Sequence, residues 1–264
     1  MKLSIRVLFI TALLISVGAY FIYHYTTREI AKERIEKKAL RVIYLPLPRL
    51  KGDITLEETI ALRRSIRKYE KKPLTLEQLA QILWAAQGIT DVEREFRAAP
   101  SAGATYPLEL YVVVGHKGVM DLEAGIYHYD PKAHVLKLLK HGDFRIELYE
   151  ACIRQTWVKQ APVVIVVTAV YERTTSRYGK RGVRYVHMEV GHVGQNIYLQ
   201  ATALGLGTVV VGAFYDEEVK KVLGVSEQEN PLYVIPIGHP QWKHKITIEE
   251  LKDYIEQQRK KYRG

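Results

Sequence analysis

The stretch AAPSAGATYPLELYVVV, residues 98–114, places a run of very small side chains between two prolines and then enters a bulky apolar segment. The apolar end, Leu110 to Val114, predicts a buried β-strand. Residues 100–103 carry so little side chain that their backbone can approach a ligand closely, and proline fixes the loop in advance. A tight connector packed beneath a helix is the alternative interpretation, and the loop alone does not decide between the two.

The segments on either side of this loop mix helix and strand patterns without a regular βα alternation. Capping boxes at Thr55-x-x-Glu58 and Thr75-x-x-Gln78 open helices that reach about residues 64 and 88. The expected fold class is therefore α+β, a sheet with flanking helices. Apolar runs predict further strands at 125–129, 135–139, 163–170, 207–211 and 232–237, and helical patterns predict helices at 144–157, 184–204 and 216–223 and from 248 onward.

Composition excludes several classes of protein. The chain has 264 residues, enough for one large domain and an appendage, and its net charge of +10 is spread without a nucleic-acid-binding motif, so no nucleic-acid partner is expected. A single cysteine, Cys152, excludes an intramolecular disulfide and a thiolate metal cluster. His187 and His192 are five residues apart and do not share a helical face, so no metal site is predicted.

The amino terminus has a pattern of its own. Residues 7–23, VLFITALLISVGAYFIY, carry no charge, and Arg6 can extend toward the interface, which predicts a transmembrane anchor over residues 1–26. A buried core helix and a cleaved signal peptide are the alternatives. More basic residues follow the span than precede it, which places the catalytic domain in the cytoplasm of a single-pass membrane protein. A charged helical linker and connector at 27–52 then leads to the folded domain at 53–264.

One further motif is a candidate for ligand binding, and a second, glycine-rich motif is excluded as a dinucleotide fingerprint. The segment RRSIRKY, residues 63–69, holds three arginines and a serine within five residues, and guanidinium groups match the oxygens of a phosphate. Alternatively, it is a basic helix end that interacts favourably with the helix dipole. The segment GLGTVVVGAF, residues 205–214, is not a dinucleotide fingerprint, because a helix leads into a strand there rather than the reverse.

Six segments in register resemble the nitroreductase family of flavoproteins, and in particular its SagB-type dehydrogenase branch. The resemblance covers residues from about 55 to 242, and it implies an α+β homodimer with a mostly antiparallel sheet that binds FMN in a cleft between subunits. In chain order the segments are RRSIRKY, LTLEQLAQILWAAQGI, APSAGATYPLELYVVV, GIYHYDPKAHVLKLL, RGVRYVHMEVGHVGQNIYLQATALGLG and PLYVIPIGHP.

The resemblance also implies roles for individual residues. It assigns the FMN phosphate and ribityl chain to the arginine-rich helix end, the small-residue loop to the side of the flavin, and the strand end after the long helix to the region of ring atom N5. His239 occupies the position where many relatives carry a basic residue near the phosphate. In the order of these roles, the implied cofactor-binding residues are Arg63, Arg64, Ser65 and Arg67, then Pro100, Ser101, Ala102 and Gly103, then Val211 and Gly212, and last His239.

One pair of residues departs from the branch pattern. Branch members that oxidise azoline rings carry a Lys-Tyr pair before the long helix, where this chain has Arg177-Tyr178. An arginine keeps its proton and cannot act as a general base, whereas Tyr178 can donate or accept a proton and is the candidate catalytic residue.

The predicted function is that of a membrane-anchored, FMN-dependent oxidoreductase that transfers hydride between a reductant such as NAD(P)H and a small organic acceptor. The alternatives are a peptide azoline dehydrogenase of the SagB type and a redox-inactive, membrane-tethered binding domain. An arginine-rich segment together with a bare loop favours the enzyme, because a scaffold needs neither.

Overall fold

The computed structural model describes residues 40–262. Nine strands lie in this part of the chain, and seven of them form one sheet. Along the chain they are β1 (Arg41–Tyr44), β2 (Ile89–Asp91), β3 (Phe96–Arg97), β4 (Leu108–Val114), β5 (Gly125–Asp130), β6 (Val135–His141), β7 (Val163–Val170), β8 (Gly207–Thr208) and β9 (Glu229–Gly238).

The large sheet has the strand order β1-β6-β5-β4-β7-β9-β8, and β2 and β3 form a separate antiparallel pair. Neighbouring strands from β6 to β8 run antiparallel, as in the pairing of Leu110 with Val167 and of Val112 with Ile165. Both central strands, β4 and β7, are almost wholly buried, because their apolar runs face packed layers on both sides. The predicted α+β fold with a mostly antiparallel sheet is confirmed.

The described residues contain eight α-helices, and five of them cover the two faces of the sheet. The face that includes Leu110 and Ile165 is covered by α2 and α6, and the opposite face, with Tyr111 and Val164, by α3, α4 and α7. Along the chain the helices are α1 (Leu56–Leu62), α2 (Leu76–Gln87), α3 (Arg145–Ala151), α4 (Thr156–Gln160), α5 (Glu172–Tyr178), α6 (Arg181–Ala203), α7 (Asp216–Leu223) and α8 (Ile248–Lys260).

Three elements differ from the sequence-based expectation. The helix predicted at 144–157 is two helices, because Ile153 and Arg154 adopt left-handed backbone angles (φ 54° and 56°) between α3 and α4. The long helix α6 begins at Arg181, and Gly179 (φ 56°) separates it from an unpredicted helix, α5. The strand predicted at 207–211 ends after Thr208, and only one isolated bridge, between Val211 and Val234, continues the pairing.

Folded structure also begins before the predicted domain start at residue 53. Strand β1 forms an edge of the sheet beside β6, and the Leu45 backbone N–H donates to the His134 carbonyl at 3.2 Å. The side chain of Leu45 is buried in the core. Residues 42–52 therefore pack against the domain, whose compact unit starts at Val42.

The structure does not support the predicted membrane localisation. Within residues 40–262, no helix has both the length and the apolar character that crossing a membrane requires. The predicted anchor at residues 1–26 and the first half of the linker, residues 27–39, lie outside the described residues. The predicted single-pass membrane localisation therefore finds no support in the structure and is not retained.

Candidate functional site

Tyr198, on α6, joins two of the predicted motifs. Its hydroxyl lies 2.9 Å from the Ser65 hydroxyl and accepts a hydrogen bond from the Val210 backbone N–H, also at 2.9 Å. The Arg63 guanidinium lies 5.0 Å from the centre of the Tyr198 ring, which is cation–π distance. We call Arg63, Ser65, Tyr198 and Val210 the Tyr198 cluster. It brings the arginine-rich segment beside the strand end that carries Val211 and Gly212.

The backbone of the arginine-rich segment is fixed against β8. Helix α1 stops at Leu62, and the Ile66 backbone N–H donates to the Thr208 carbonyl at 2.9 Å. Gly207 makes this approach possible, because a Cβ at that position would lie 2.8 Å from the Cβ of Ile66. The main chain thus holds Ser65 and its flanking arginines beside β8, at the edge of the sheet.

None of the three arginines in this segment has an acidic side chain within ion-pair distance anywhere in residues 40–262. Arg64 donates to Nε2 of His244 at 2.6 Å, and the Arg67 guanidinium lies 5.5 Å from the Trp157 ring centre. A cavity of about 230 Å³ opens beside Arg64 and is also lined by Lys243 and His244. A concentration of positive charge without carboxylate partners suits a phosphate group.

The small-residue loop is held in an unusual backbone conformation. Gly103 has φ 58°, and two residues with side chains, Ala104 (φ 54°) and Tyr106 (φ 45°), are also left-handed. Arg177 donates to the Gly103 carbonyl at 3.1 Å. A Cβ at position 103 would lie 2.5 Å from the Tyr178 hydroxyl, so this position has no room for a side chain. The predicted catalytic residue, Tyr178, therefore lies directly against the loop.

A buried carboxyl group lies behind the same loop. Glu189, on α6, is 2% exposed, and the Gln87 side-chain amide donates to it at 3.5 Å. Burial raises the pKa of Glu189 to about 7, against the opposing effect of hydrogen bonds from Ser101 and Gln87. The histidine-containing segment around Glu189 was weighed only as a metal site, so this buried carboxyl group was not predicted from the sequence. Within the described residues, no group of side chains that could hold a metal ion is found.

The loop and the Tyr198 cluster lie at different levels of α6. Ser101 of the loop lies near enough to Glu189 to influence its pKa, and Tyr178 packs edge-on against Tyr185 with ring centres 5.1 Å apart. At 1.5 Å per residue, Tyr198 lies about 14 Å along the helix from Glu189 and about 20 Å from Tyr185. One protomer therefore brings Arg63 and Ser65 together with the Val211 strand end, and brings Ser101 and Gly103 together with Tyr178, as two separate groups.

The remaining predicted residues do not all lie in these two groups. Pro100 and Ala102 belong to the loop, and Gly212 is exposed, with open space where a Cβ would stand. Val211 is buried and pairs with Val234 through two backbone hydrogen bonds. His239 lies in neither group, because its Nε2–H donates to the Pro73 carbonyl at 3.1 Å. Burial lowers the pKa of His239, which disfavours its charged form, and its predicted role near the phosphate stays a prediction.

These residues fit an elongated ligand with an anionic end and a flat ring. Unneutralised guanidinium groups and the Ser65 hydroxyl suit a phosphate, and a loop nearly free of side chains suits the face of an aromatic ring. The chemistry of the donor set is therefore compatible with FMN.

Fold and site together define a class, the α+β flavoproteins whose sheet is covered by helices on both faces. The model of the "Nitroreductase family" matches residues 60–239, and the chain belongs to the nitroreductase family. Members of this family are FMN-dependent oxidoreductases, and NADPH is a co-substrate of some of them. The predicted family and the class of enzyme are confirmed.

Individual relatives agree with this assignment. A nitroreductase homologue from Methanocaldococcus jannaschii is 51% identical over 186 residues, which cover 70% of this chain and 91% of the relative. The trifolitoxin-processing protein of Rhizobium leguminosarum is 31% identical over 52% of this chain and 41% of its own length. A crystal structure of a nitroreductase homologue from Ralstonia eutropha superposes with a TM-score of 0.68 at 32% identity, covering 76% of this chain and 90% of that one.

Proposed function

We propose that this protein is an FMN-dependent oxidoreductase that transfers hydride between NAD(P)H and a small organic acceptor. The observation that carries the proposal is the arginine-rich segment, which lies beside the Val210–Val211 strand end without acidic partners in the described residues. When bound, FMN supplies the hydride chemistry, and the protein controls its binding, orientation and access.

In this proposal the anionic end of FMN binds to the arginine-rich segment. Arg63, Arg64 and Arg67 supply charge-assisted hydrogen bonds, and the Ser65 hydroxyl supplies a neutral one. The Tyr198 hydroxyl is hydrogen-bonded to the Ser65 hydroxyl at 2.9 Å and holds it in position. Lys243, beside the cavity that Arg64 lines, replaces His239 as the basic residue expected after the last strand.

The ring end of the site is formed by backbone rather than by side chains. If FMN binds here, loop 100–103 and the Val211–Gly212 backbone would hold its ring and exclude water from it. Tyr178 holds or moves a proton at its hydroxyl oxygen, which lies against Gly103 at the loop surface.

The site is proposed to be shared between two subunits of a homodimer. Support comes from the separation of loop and arginines along α6 within one protomer, by about 14 Å or more. In a two-fold dimer each subunit contributes the same patch, so the loop of one subunit can complete the arginine site of the other.

The double variant Arg63→Ala/Arg67→Ala tests this function. We expect the full-length protein to bind FMN stoichiometrically, with a flavin absorption band, and the double variant to lose FMN during gel filtration. The control removes two exposed arginines elsewhere, Arg94→Ala and Arg259→Ala, and should retain FMN. An absence of flavin absorption in the wild-type protein after FMN addition would refute the proposal.

Peptide azoline dehydrogenation is the second candidate function. It is favoured by the similarity to the trifolitoxin-processing protein and by the contact of Tyr178 with the loop. Arg177 weakens it, because a guanidinium that donates to the Gly103 carbonyl cannot serve as a base. Incubation of the FMN-loaded protein with an azoline-containing peptide distinguishes the two candidates by a mass loss of two hydrogens. A redox-inactive binding domain would show neither this loss nor NAD(P)H oxidation.

A further inference from the structure

Arg173, on α5, is a mostly buried arginine that the proposed flavin contacts do not use. Its Nη2 lies 2.6 Å from the Glu109 carboxylate on β4, and the two side chains are 23% and 15% exposed. Its Nη1 donates to the Tyr106 carbonyl at 3.2 Å. One guanidinium thus ties α5 both to the central sheet and to the chain that leaves the small-residue loop.

The Glu109 carboxylate is itself held in one orientation. Its Oε1 faces Arg173, and its Oε2 lies 2.8 Å from Nε2 of His128 on the neighbouring strand β5. Burial opposes the charge of Glu109, but Arg173 and His128 together hold its pKa well below the ordinary value. Because an ionised carboxylate can only accept, the His128 Nε2 carries the hydrogen of this contact. With both oxygens engaged, Glu109 gives the Arg173 guanidinium a single position.

Helix α5 is too short to hold its own position. It has seven residues, and isolated helices below about 12–15 residues are marginal in water. Its N-cap, Tyr171, makes no capping hydrogen bond through its side chain, and Gly179 (φ 56°) ends it. On one side it packs closely on the start of α6, where a Cβ at Gly182 would lie 2.8 Å from the Thr175 Cα. The position of α5 therefore depends on the elements around it.

The contacts of α5 with the loop come from neighbouring residues at its carboxyl-terminal end. The Thr174 hydroxyl lies 2.8 Å from the Thr105 hydroxyl, and Arg177 donates to the Gly103 carbonyl at 3.1 Å. Tyr178 follows Thr174 by four residues, which places it on the same side of the helix, and its hydroxyl lies against Gly103. Whatever holds α5 in place therefore also places the Tyr178 hydroxyl.

The loop residues that Arg173 contacts need to be held. Ala104 (φ 54°) and Tyr106 (φ 45°) have left-handed backbone angles, which residues with a side chain keep only where the surrounding structure fixes them. The Tyr106 hydroxyl accepts a hydrogen bond from the Arg97 backbone N–H at 3.0 Å, and its carbonyl accepts the one from Arg173. Arg173 thus fixes the end of the loop as well as the helix.

We propose that Arg173 is a positioning residue that, oriented by Glu109, holds α5 against the end of the loop and so keeps the Tyr178 hydroxyl at the loop surface. The inference rests on the proposed function in one respect, that Tyr178 exchanges a proton there. The hold on α5 rests on the contacts of Arg173 with Glu109 and Tyr106.

Amide hydrogen exchange of the full-length, FMN-free protein tests this hold without reference to activity. The Thr175 and Gly179 amides make the hydrogen bonds of α5, at 2.9 and 2.7 Å. In Arg173→Met we expect both to exchange about tenfold or more faster, while amides of β7 keep their wild-type rates. The control Arg259→Met, on the exposed helix α8, should change neither. Equal acceleration of α5 and β7, or unchanged rates in α5, would overturn the proposal.

A second variant removes the cation without leaving a buried charge behind. Arg173→Met alone leaves the Glu109 carboxylate without its guanidinium partner, which is costly for folding. In Glu109→Gln/Arg173→Met both charges are gone, and the new amide can still hydrogen-bond to His128. We expect this double variant to fold and to show the same selective acceleration in α5. Rates in α5 equal to those of the wild type would refute the hold.

A double-mutant cycle with Tyr178 tests the consequence for the reaction. In the FMN-loaded protein, Arg173→Met should lower kcat by roughly 10- to 100-fold and leave KM for NAD(P)H and the FMN content unchanged, because a misplaced group slows chemistry without weakening binding. In a Tyr178→Phe background the same substitution should lower kcat by less than about twofold, since no hydroxyl is left to misplace.

The outcomes separate this inference from the proposed function. An equal loss of kcat in both backgrounds would show that Arg173 does not act through Tyr178, and the proposal would fail. If α5 exchanges selectively faster in Arg173→Met while the FMN-loaded wild-type protein shows no turnover, the proposed function fails and the hold on α5 stands.

Discussion

Tyr178, the proposed proton-transfer residue, lies against the small-residue loop. Its hydroxyl lies against Gly103, in a position that leaves no space for a Cβ, and its ring packs on Tyr185. The neighbouring Arg177 is engaged with the loop carbonyl and is unavailable for proton transfer. Of the pair, only Tyr178 presents a group that can exchange a proton at the loop surface.

The variant Tyr178→Phe removes that hydroxyl and leaves the ring packing intact. We expect kcat for NAD(P)H-dependent reduction to fall by about 10²-fold or more, the lower end of general acid contributions, while FMN stays bound. Tyr254→Phe, on the exposed helix α8, is the control and should leave kcat unchanged. Equal rates for Tyr178→Phe and the wild type in steady-state assays would remove Tyr178 from the chemistry.

The buried Glu189 also makes a prediction about stability. Its pKa is about 7 in the folded protein and about 4.5 when unfolded, so the folded state binds the proton more tightly. The stabilising contribution is therefore fully present below about pH 4.5 and is lost as pH rises to about 7. Glu189→Gln carries no such loss, so it should gain roughly 1–3 kcal/mol in unfolding free energy relative to wild type between pH 5 and pH 8.

Urea denaturation at the two pH values measures this difference, with Glu172→Gln as the exposed control. A constant difference between Glu189→Gln and wild type at both pH values would show that Glu189 is ionised throughout the range.

At the scale of elements, β8 and the arginine-rich segment depend on each other through a glycine. A methyl group at position 207 would meet the Ile66 side chain at 2.8–2.9 Å on three of its atoms. Because Ile66 is buried and lies between Ser65 and Arg67, it cannot retreat without moving both of them. The packing of one short strand therefore fixes the geometry of the proposed phosphate site.

Gly207→Ala should destabilise the protein by about 1–3 kcal/mol, as overpacking of a core does, and should weaken FMN binding. The control is Gly191→Ala on α6, where nothing lies within 4 Å of an added Cβ. There alanine should stabilise the helix by up to about 1 kcal/mol and leave FMN binding unchanged. Thermal unfolding and FMN titration of both variants provide the comparison, and similar behaviour of the two would contradict the packing argument.

The elements that sequence predicted well are those with strong local signals. Thr75 and Gln78 form the expected capping box of α2, and the apolar run of β7 covers residues 163–170 as predicted. The break at residues 153–154 was missed because an isoleucine and an arginine carry no local signal for left-handed backbone. The hydrogen bond of Ser65 to Tyr198 joins residues 133 positions apart, and no local pattern can indicate such a partner.

At the scale of the whole molecule, the order of the motifs indicates the family, and the structure shows that the two parts of the proposed site lie apart within one protomer. The arginine-rich segment and the bare loop lie within forty residues of each other in sequence, and the family resemblance assigned both to one FMN site between subunits. In the structure α6 spaces them, with the loop at Glu189 and Tyr185 and the arginines at Tyr198. A site made from both parts is most simply completed by a second copy of the chain.

Two defective variants test this arrangement when they are mixed. Arg63→Ala/Arg67→Ala damages the arginine segment and leaves the loop intact, and Ala102→Trp fills the loop surface and leaves the arginines intact. If each site combines the loop of one subunit with the arginines of the other, a heterodimer has one site with both defects and one with none. Refolding the variants together at equal amounts should restore about a quarter of wild-type FMN binding, since half of the dimers are mixed and each regains one site of two.

Each variant refolded alone provides the baseline, and a mixture of the double variant with Val92→Trp, a substitution at an exposed residue outside the loop, measures how many intact sites survive refolding, because its expected FMN binding is the same with or without exchange of subunits. That mixture retains wild-type arginines on one partner and should bind FMN at about half of the wild-type level. If the loop and the arginines of one chain form the site together, the mixture of the two defective variants recovers nothing, because every chain then carries a damaged site. Recovery of FMN in that mixture therefore requires that the two groups along α6 belong to different sites of the dimer.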